Sequence, residues 1–168
     1  MSSKEWQIHN ANGGKRVIVT KLLPGQRWLE VLTAADCRVE VCTSPDILTV
    51  DEIKTAIGDR CDGVIGQLTE AWDETLFAAL KAAGGQAYSN YAVGYNNVNT
   101  DVATRHGIPV GNTPGVLTET TAEMAVALTV SAARRVVEAD TFMRGGHYHG
   151  WLPTLFLGNL LKGSTVGV

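Results

Sequence analysis

Residues 111–133 read GNTPGVLTETTAEMAVALTVSAA, which places a turn rich in breaking residues directly before a long apolar helix. Pro114 and Gly115 end the preceding strand. Thr120 and Glu123 have the spacing of a helix-capping box, and backbone N–H groups gathered at such a helix start attract anions. The rest of the helix has almost no polar face, so we expect it to be buried between domains or subunits.

Strand-like and helix-like stretches alternate before this segment. Thr49 and Glu52 form a second capping box, and Asn99 is an expected N-cap. The predicted order is strand 15–20, helix 26–34, strand 38–42, helix 49–57, strand 62–66, helix 73–83, strand 87–90, helix 99–106 and strand 108–111. Strands that alternate with helices are typical of an α/β fold with a doubly wound parallel sheet, here of flavodoxin-like character.

A domain boundary is predicted near Pro114. The parts are a flexible tail at 1–14, a substrate-binding domain at 15–115, and at 116–168 an interdomain helix, an aromatic-rich arm and the first strand of a Rossmann-type cofactor domain. Residues 160–168 read LLKGSTVGV, a turn that opens into a strand, and a glycine-rich phosphate loop follows such a strand in dinucleotide-binding units. No GxGxxG motif occurs, so we expect a fragment that lacks its cofactor loop.

The composition is that of a soluble globular protein. The chain has 168 residues, 45% of them hydrophobic, and a net charge of -3, which gives no reason to expect nucleic acid or an anionic membrane as partner. No apolar run could span a bilayer, and residues 1–14 are not signal-like. Cys37 and Cys42 lie on one predicted strand at odd separation, so they face opposite sides and cannot pair. An intracellular, reducing location fits these features.

Two loops at the carboxyl ends of predicted strands are candidate ligand sites. Residues 66–69 read GQLT and residues 90–97 read NYAVGYNN. Gly94 permits a concavity of backbone N–H groups that could hold a carboxylate, although the same residues fit a plain turn with a left-handed glycine. Ligands of open α/β sheets collect beyond the carboxyl ends of strands, and this favours the site.

The histidines and cysteines suggest no catalytic or metal-binding set. His9 falls in the predicted tail, and His106 ends a short helix. His147 and His149 have no Cys, Asp or Glu nearby to complete a metal site. The cysteines follow no nucleophile pattern, so we expect them to be packing residues.

Several motifs resemble those of the D-2-hydroxyacid dehydrogenases and occur in the order that this family has them. The resemblance covers residues 15–168, about the first half of a family member. The motifs are VGYNN at 93–97, NTPGV at 112–116, TAE at 121–123, Arg134-Arg135, Trp151 and GSTVG at 163–167. The stretches 61–69, 112–123, 151–153 and 160–163 are most similar to the NADH-dependent hydroxypyruvate reductases of plant and algal photorespiration.

This resemblance implies a two-domain enzyme that reduces hydroxypyruvate to D-glycerate, and glyoxylate to glycolate more weakly. The reductant is NADH, with NADPH left open, and a peroxisome or mitochondrion is implied, with the cytosol left open. A protonated His paired with a Glu supplies the proton, and an Arg fixes the substrate. None of these three matches a position here, so the chain alone is expected to be inactive.

The resemblance also implies roles for five residues of this chain. The backbone amides of Val93 and Gly94 match the carboxylate-binding loop, and Leu68 lies on the neighbouring substrate loop. Thr121 matches a position close to the nicotinamide. Trp151 looks like an aromatic residue that reaches the active site of the partner subunit in a homodimer.

Other functions stay open at this stage. Glyoxylate reductase and phosphoglycerate dehydrogenase share the scaffold, but a phosphorylated substrate calls for basic residues, and the loops 66–69 and 90–97 contain none. A branch of the family serves as a non-enzymatic, corepressor-like scaffold. The predicted strand at Thr165 and the apolar helix argue against a small binding domain that is complete in itself.

Overall fold

The computed structural model describes residues 5–167 and divides into two compact units, Met1–Gly115 and Val116–Val168. The division falls beside Pro114, where the sequence predicted a boundary. Residues 1–4 of the predicted tail and Val168, the last residue of the predicted strand, lie outside the described residues.

The first unit is built on a six-stranded sheet. Its strands are β1 (Trp6–His9), β2 (Lys15–Val19), β3 (Cys37–Cys42), β4 (Gly63–Gly66), β5 (Ala87–Asn90) and β6 (Val110–Gly111). They lie in the order β1-β3-β2-β4-β5-β6. Only the β1–β3 pair is antiparallel among these strands, so the predicted α/β fold with a parallel sheet is confirmed.

Four helices connect the parallel strands of this unit. They are α1 (Arg27–Ala34), α2 (Val50–Ile57), α3 (Glu74–Ala82) and α4 (Thr100–Arg105). Thr49 and Glu52 form the predicted capping box of α2. The Asn99 side chain accepts a hydrogen bond from the Val102 N–H at 3.1 Å, as expected for the N-cap of α4. These boundaries are readable from sequence because each cap lies within three residues of the group that it satisfies.

The prediction of a flexible tail is wrong for Trp6–His9, which forms the edge strand β1. This strand pairs with β3, with Trp6 opposite Cys42 and His9 opposite Val39. The pairing satisfies the backbone groups of β3 that would otherwise form an exposed sheet edge. His9 therefore belongs to the sheet and not to a tail.

The sheet has a hydrophobic core on each face because side chains alternate along a strand. Ile18 lies in the core under α2, α3 and α4, whereas its neighbours Val17 and Val19 lie in the core under α1. Cys42 belongs to the first core and Cys37 to the second, which confirms that they face opposite sides. All three cysteines are free and buried.

The second unit consists of two helices followed by an irregular segment. These helices are α5 (Thr118–Ala133) and α6 (Val136–Arg144). The predicted capping box of Thr120 and Glu123 is wrong, because α5 begins at Thr118 and both residues lie inside it. Arg135 has a left-handed φ of 56°, which separates α5 from α6. Helix α6 is absent from the elements predicted from the sequence.

Helix α5 exposes its apolar residues and contains no buried side chain. Met124, Val126 and Leu128 are each about 60% exposed, so the second unit does not itself provide the expected burial of this helix. The described residues of the second unit contain no strand, which corrects the strand predicted at 160–168. A strand requires a partner for its backbone groups, and this unit offers none. Over residues 5–167, no helix combines the length and apolarity needed to cross a membrane.

Candidate functional site

The two loops predicted to bind a ligand begin side by side at the carboxyl edge of the sheet. Gly66, the last residue of β4, pairs with Asn90, the last residue of β5. The Tyr91 N–H donates to the Gly66 carbonyl at 2.9 Å, so the pairing extends into the loops. The sheet topology therefore brings Leu68, Val93 and Gly94 to the same edge of the first unit.

Val93 and Gly94 present two backbone amides at the surface of this edge. Both residues are exposed, and the described residues supply no acceptor for either N–H. Gly94 is not among the residues with positive φ, so the alternative of a left-handed glycine turn is wrong. A Cβ placed on Gly94 would meet no atom within 4 Å, which shows that the space beside these amides is open. Two free N–H groups in open space are suited to bind an anion.

The carbonyl groups beside these amides are all bonded. The Ala92 carbonyl accepts from the Thr113 N–H at 2.8 Å, and the Val93 carbonyl accepts from Asn112 Nδ2 at 2.8 Å. The Gly94 carbonyl accepts from Asn90 Nδ2 at 2.9 Å. The loop is thus anchored through these carbonyl groups, and the N–H groups of Val93 and Gly94 stay available.

Asn97 connects the two loops. Its Nδ2 donates to the Gln67 carbonyl at 3.1 Å and to the Glu70 carbonyl at 2.9 Å. The Asn97 carbonyl in turn accepts from the Trp72 N–H at 2.9 Å. Asn90 contacts the Asn97 side chain at 3.1 Å and so closes the network. These hydrogen bonds link the loop that carries Leu68 to the loop that carries Val93.

Glu70 is the buried carboxyl group beneath the first loop. Its side chain accepts from the Gln67 N–H at 3.1 Å and from Trp72 Nε1 at 3.2 Å. Burial raises the pKa of Glu70, and these donors together with the Thr20 hydroxyl oppose that rise. A Cβ on Gly66 would lie 2.7 Å from Glu70 Oε2, so this position has room for glycine alone. The carboxyl group is part of the support of the loop and not of its exposed surface.

Leu68 supplies apolar surface on the neighbouring loop, since it is 56% exposed. Lys21 follows β2 at the same edge of the sheet, but its ammonium group donates to the carbonyls of Ser44 and Asp46. An anion bound at this edge would therefore be recognised by backbone N–H groups.

Thr121 lies in the second turn of α5, within the second unit. Its N–H donates to the Leu117 carbonyl at 3.0 Å, and its side chain borders a shallow pocket. That pocket is lined by Thr120, Thr121, Met124, Ala125 and Leu128. These residues could contact one face of a nicotinamide ring, but the sequence has no GxGxxG loop for the pyrophosphate. A complete cofactor site does not follow from this chain.

Trp151 is 78% exposed and borders an aromatic hollow of the second unit. Phe142 and Phe156 also line that hollow, with ring centroids 5.0 Å apart. The Arg135 guanidinium lies 5.1 Å from the centroid of the Phe156 ring. An exposed Trp on such a base is suited to contact a partner molecule.

Glu74, His106 and Cys61 are titratable residues outside the two loops. His106 Nε2 lies 2.7 Å from Glu74 Oε1, and this contact lowers the pKa of Glu74. Burial raises the pKa of Cys61 to about 11, which disfavours the nucleophilic thiolate. Within residues 5–167, no group of three His, Cys, Asp or Glu side chains could hold a metal ion.

The first unit is an α/β domain that presents two exposed backbone amides at the carboxyl edge of its sheet. Residues 17–143 match the family model "D-isomer specific 2-hydroxyacid dehydrogenase, catalytic domain". The chain belongs to this family, whose members depend on NAD(P), and the resemblance noted from the sequence is confirmed.

Known relatives of this chain include glycerate dehydrogenases and glyoxylate reductases. It is 63% identical, over 96% of its length, to "Glycerate dehydrogenase" from Cucumis sativus and to "Glycerate dehydrogenase HPR, peroxisomal" from Arabidopsis thaliana. It is 44% identical, over 91% of its length, to a glyoxylate reductase from Thermococcus litoralis. The chain spans 43%, 42% and 46% of these three proteins, less than half of each.

A solved structure with the same fold is that of the TT0316 protein from Thermus thermophilus. Its TM-score is 0.79 at 35% sequence identity, and the match covers 86% of this chain and 45% of that chain. The fold of this chain therefore agrees with that of a crystal structure.

The sequence patterns assign no role to the residues that hold the amides in place. Asn97 and Asn112 lie within the motifs at 93–97 and 112–116, and Glu70 lies outside all of the motifs. Their positions after strands could have indicated a role in the site, because Asn112 directly follows β6 and Glu70 lies in the loop after β4. Their hydrogen bonds to other loops were not readable from the sequence.

Proposed function

We propose that this chain supplies the substrate-binding part of a reductase that converts hydroxypyruvate to D-glycerate, and glyoxylate to glycolate more weakly. The observation that carries the proposal is the pair of unbonded, exposed amides of Val93 and Gly94 at the sheet edge where the Leu68 loop also begins. A 2-oxo acid has a carboxylate next to its ketone carbon, and two N–H groups can hold that carboxylate. The identity to glycerate dehydrogenases supports hydroxypyruvate as the substrate.

In this proposal the chain binds and orients the substrate. The amides fix the carboxylate, and Leu68 packs on the carbon skeleton and excludes water. When bound, the nicotinamide supplies the hydride that reduces the ketone. Glu70 is bonded to Trp72 and Gln67 beneath the loop, so it is not a proton donor to the ketone. The His, Glu and Arg that the resemblance implies match no position in this chain.

We further propose NADH as the reductant, with Thr121 close to the nicotinamide. A homodimer in which Trp151 reaches the substrate site of the partner subunit is supported by the exposure of Trp151 and of α5. An intracellular location, in a peroxisome or mitochondrion, and a role in photorespiration are supported by the plant relatives, one of which is named as peroxisomal.

The test is the rate of NADH and NADPH oxidation by the full-length gene product with three substrates. These are hydroxypyruvate, glyoxylate and 3-phosphohydroxypyruvate. We expect the highest kcat/KM with hydroxypyruvate and NADH. A preference for glyoxylate would instead support the second candidate, a glyoxylate reductase, which the 44% identity to the Thermococcus litoralis enzyme favours.

Two other outcomes would contradict the proposal. A preference for the phosphorylated substrate would be at odds with loops that carry no basic side chain. No reduction of any of the three would leave the non-enzymatic scaffold as the better interpretation.

A further inference from the structure

The direction of the two free amides depends on the carbonyl groups on the opposite sides of their peptide planes. In a trans peptide the C=O and the N–H point in opposite directions and lie in one plane. The Gly94 N–H shares its plane with the Val93 carbonyl, and the Val93 N–H shares its plane with the Ala92 carbonyl. A hydrogen bond to either carbonyl therefore also orients the N–H across from it.

Both carbonyls are held by consecutive residues that follow β6. Asn112 Nδ2 donates to the Val93 carbonyl and the Thr113 N–H donates to the Ala92 carbonyl, each at 2.8 Å. Residues about 20 positions further along the chain thus determine where the donors of the substrate loop point. The Thr113 contact comes from the backbone, whereas the Asn112 contact comes from a side chain that a substitution can remove.

We propose that Asn112 is a positioning residue for substrate binding, which acts through the Val93–Gly94 peptide plane. It fixes the direction of the Gly94 N–H relative to the Val93 N–H, so that both point at one carboxylate. It also strengthens the Gly94 donor, because a peptide whose carbonyl accepts a hydrogen bond is polarised and becomes a better donor. The inference rests on the proposed function, since it concerns the same carboxylate site.

The surroundings of Asn112 indicate that its side chain does not contribute to the hydrophobic core. Its side chain is exposed, and its hydrogen bond to Val93 lies at the surface. It lies in neither hydrophobic core, and β6 ends before it. Loss of the side chain should therefore leave the stability of the fold nearly unchanged.

The test compares Asn112→Ala with Asn12→Ala in the full-length gene product. Asn12 is also exposed, and it precedes β2, at the edge of the sheet opposite to the substrate loops. We expect Asn112→Ala to raise the KM for hydroxypyruvate and to lower kcat/KM by about three- to tenfold, the effect of one lost hydrogen bond. The KM for NADH and the Tm should not change, and Asn12→Ala should behave as wild type.

Inhibition by oxalate gives a measurement that does not depend on chemistry. Oxalate has a carboxylate for the two amides but no ketone to reduce, so its inhibition constant should rise in parallel with the KM. Asn112→Asp keeps the shape of the side chain and replaces the donor by an acceptor, so it should impair binding more than Asn112→Ala. Its control is Asn99→Asp, which adds the same charge and retains the oxygen that caps α4.

The outcomes distinguish this inference from the function on which it rests. If Gly94→Val impairs substrate kinetics and Asn112→Ala does not, the positioning role is overturned and the amide site stands. If neither substitution changes substrate kinetics, the amide site is overturned, and the positioning role with it. If Asn112→Ala raises the KM for NADH in the same proportion or lowers the Tm by several degrees, the side chain acts on general structure and the inference is also overturned.

Discussion

Replacing Gly94 by Val should impair substrate binding and leave the free energy of unfolding nearly unchanged. The new side chain would project into space that is open in the structure, since a Cβ there meets no atom within 4 Å. The φ of Gly94 lies outside the left-handed region, so a branched residue can adopt it. We therefore expect the free energy of unfolding to change by no more than about 0.5 kcal/mol.

The effect on activity should be much larger. The valine methyl groups would occupy the space in front of the Val93 and Gly94 N–H groups. A hydrogen bond to a charged group contributes about 1.5–3 kcal/mol. Loss of both bonds, partly offset by water, corresponds to a fall in kcat/KM for hydroxypyruvate of about 100-fold. Gly94→Ala should show the same effect at a smaller size.

The assay is steady-state NADH oxidation by the full-length gene product, with urea unfolding of the same preparations. Gly66→Ala is a control for stability, because its Cβ would overlap with Tyr88 Oη, which is buried beneath the loops. It should lower stability by about 1–3 kcal/mol. Substrate kinetics of Gly94→Val equal to those of wild type would refute the assignment of the carboxylate to these amides.

Three further predictions concern other parts of the chain. Burial raises the pKa of Glu70, so the folded state binds its proton more tightly than the unfolded state does, and this contribution to stability is lost as pH rises above about 4.3. Glu70→Gln should therefore gain stability relative to wild type between pH 4 and pH 8 in urea unfolding, and a difference that does not depend on pH would contradict this. Trp151→Ala should raise the KM for hydroxypyruvate several-fold more than the KM for NADH in a dimer identified by sedimentation, whereas a lower Tm with unchanged kinetics would make Trp151 a packing residue. Purified Met1–Val168 alone should not oxidise NADH when hydroxypyruvate is added, because it has no GxGxxG loop and no match to the expected acid, and measurable turnover would overturn that expectation.

Local patterns explain why most elements of the first unit were predictable. The capping box of Thr49 and Glu52 and the N-cap of Asn99 involve residues at most three positions apart. The opposite faces of Cys37 and Cys42 follow from the two-residue period of a strand. Such features depend only on residues close in sequence, so they can be predicted before the fold is known.

The errors occur where structure depends on distant partners or on backbone conformation. The strand Trp6–His9 forms because β3 offers an edge to it, although its polar sequence suggests a tail. The predicted strand at 160–168 has no partner within its unit, and the described residues there remain irregular. Arg135 adopts a left-handed conformation at the start of a separate helix, although such a conformation is usually predicted only at glycine.

The sequence by itself determined the α/β class, the family and the loop that carries Val93 and Gly94, because each depends on local periodicity or on a contiguous motif. Only the tertiary structure decided which groups of that loop are free to bind. The partners of its carbonyls, Asn112 and Thr113, come from the end of another strand. A hydrogen bond between loops depends on how parallel strands pair, and that pairing is a property of the folded sheet.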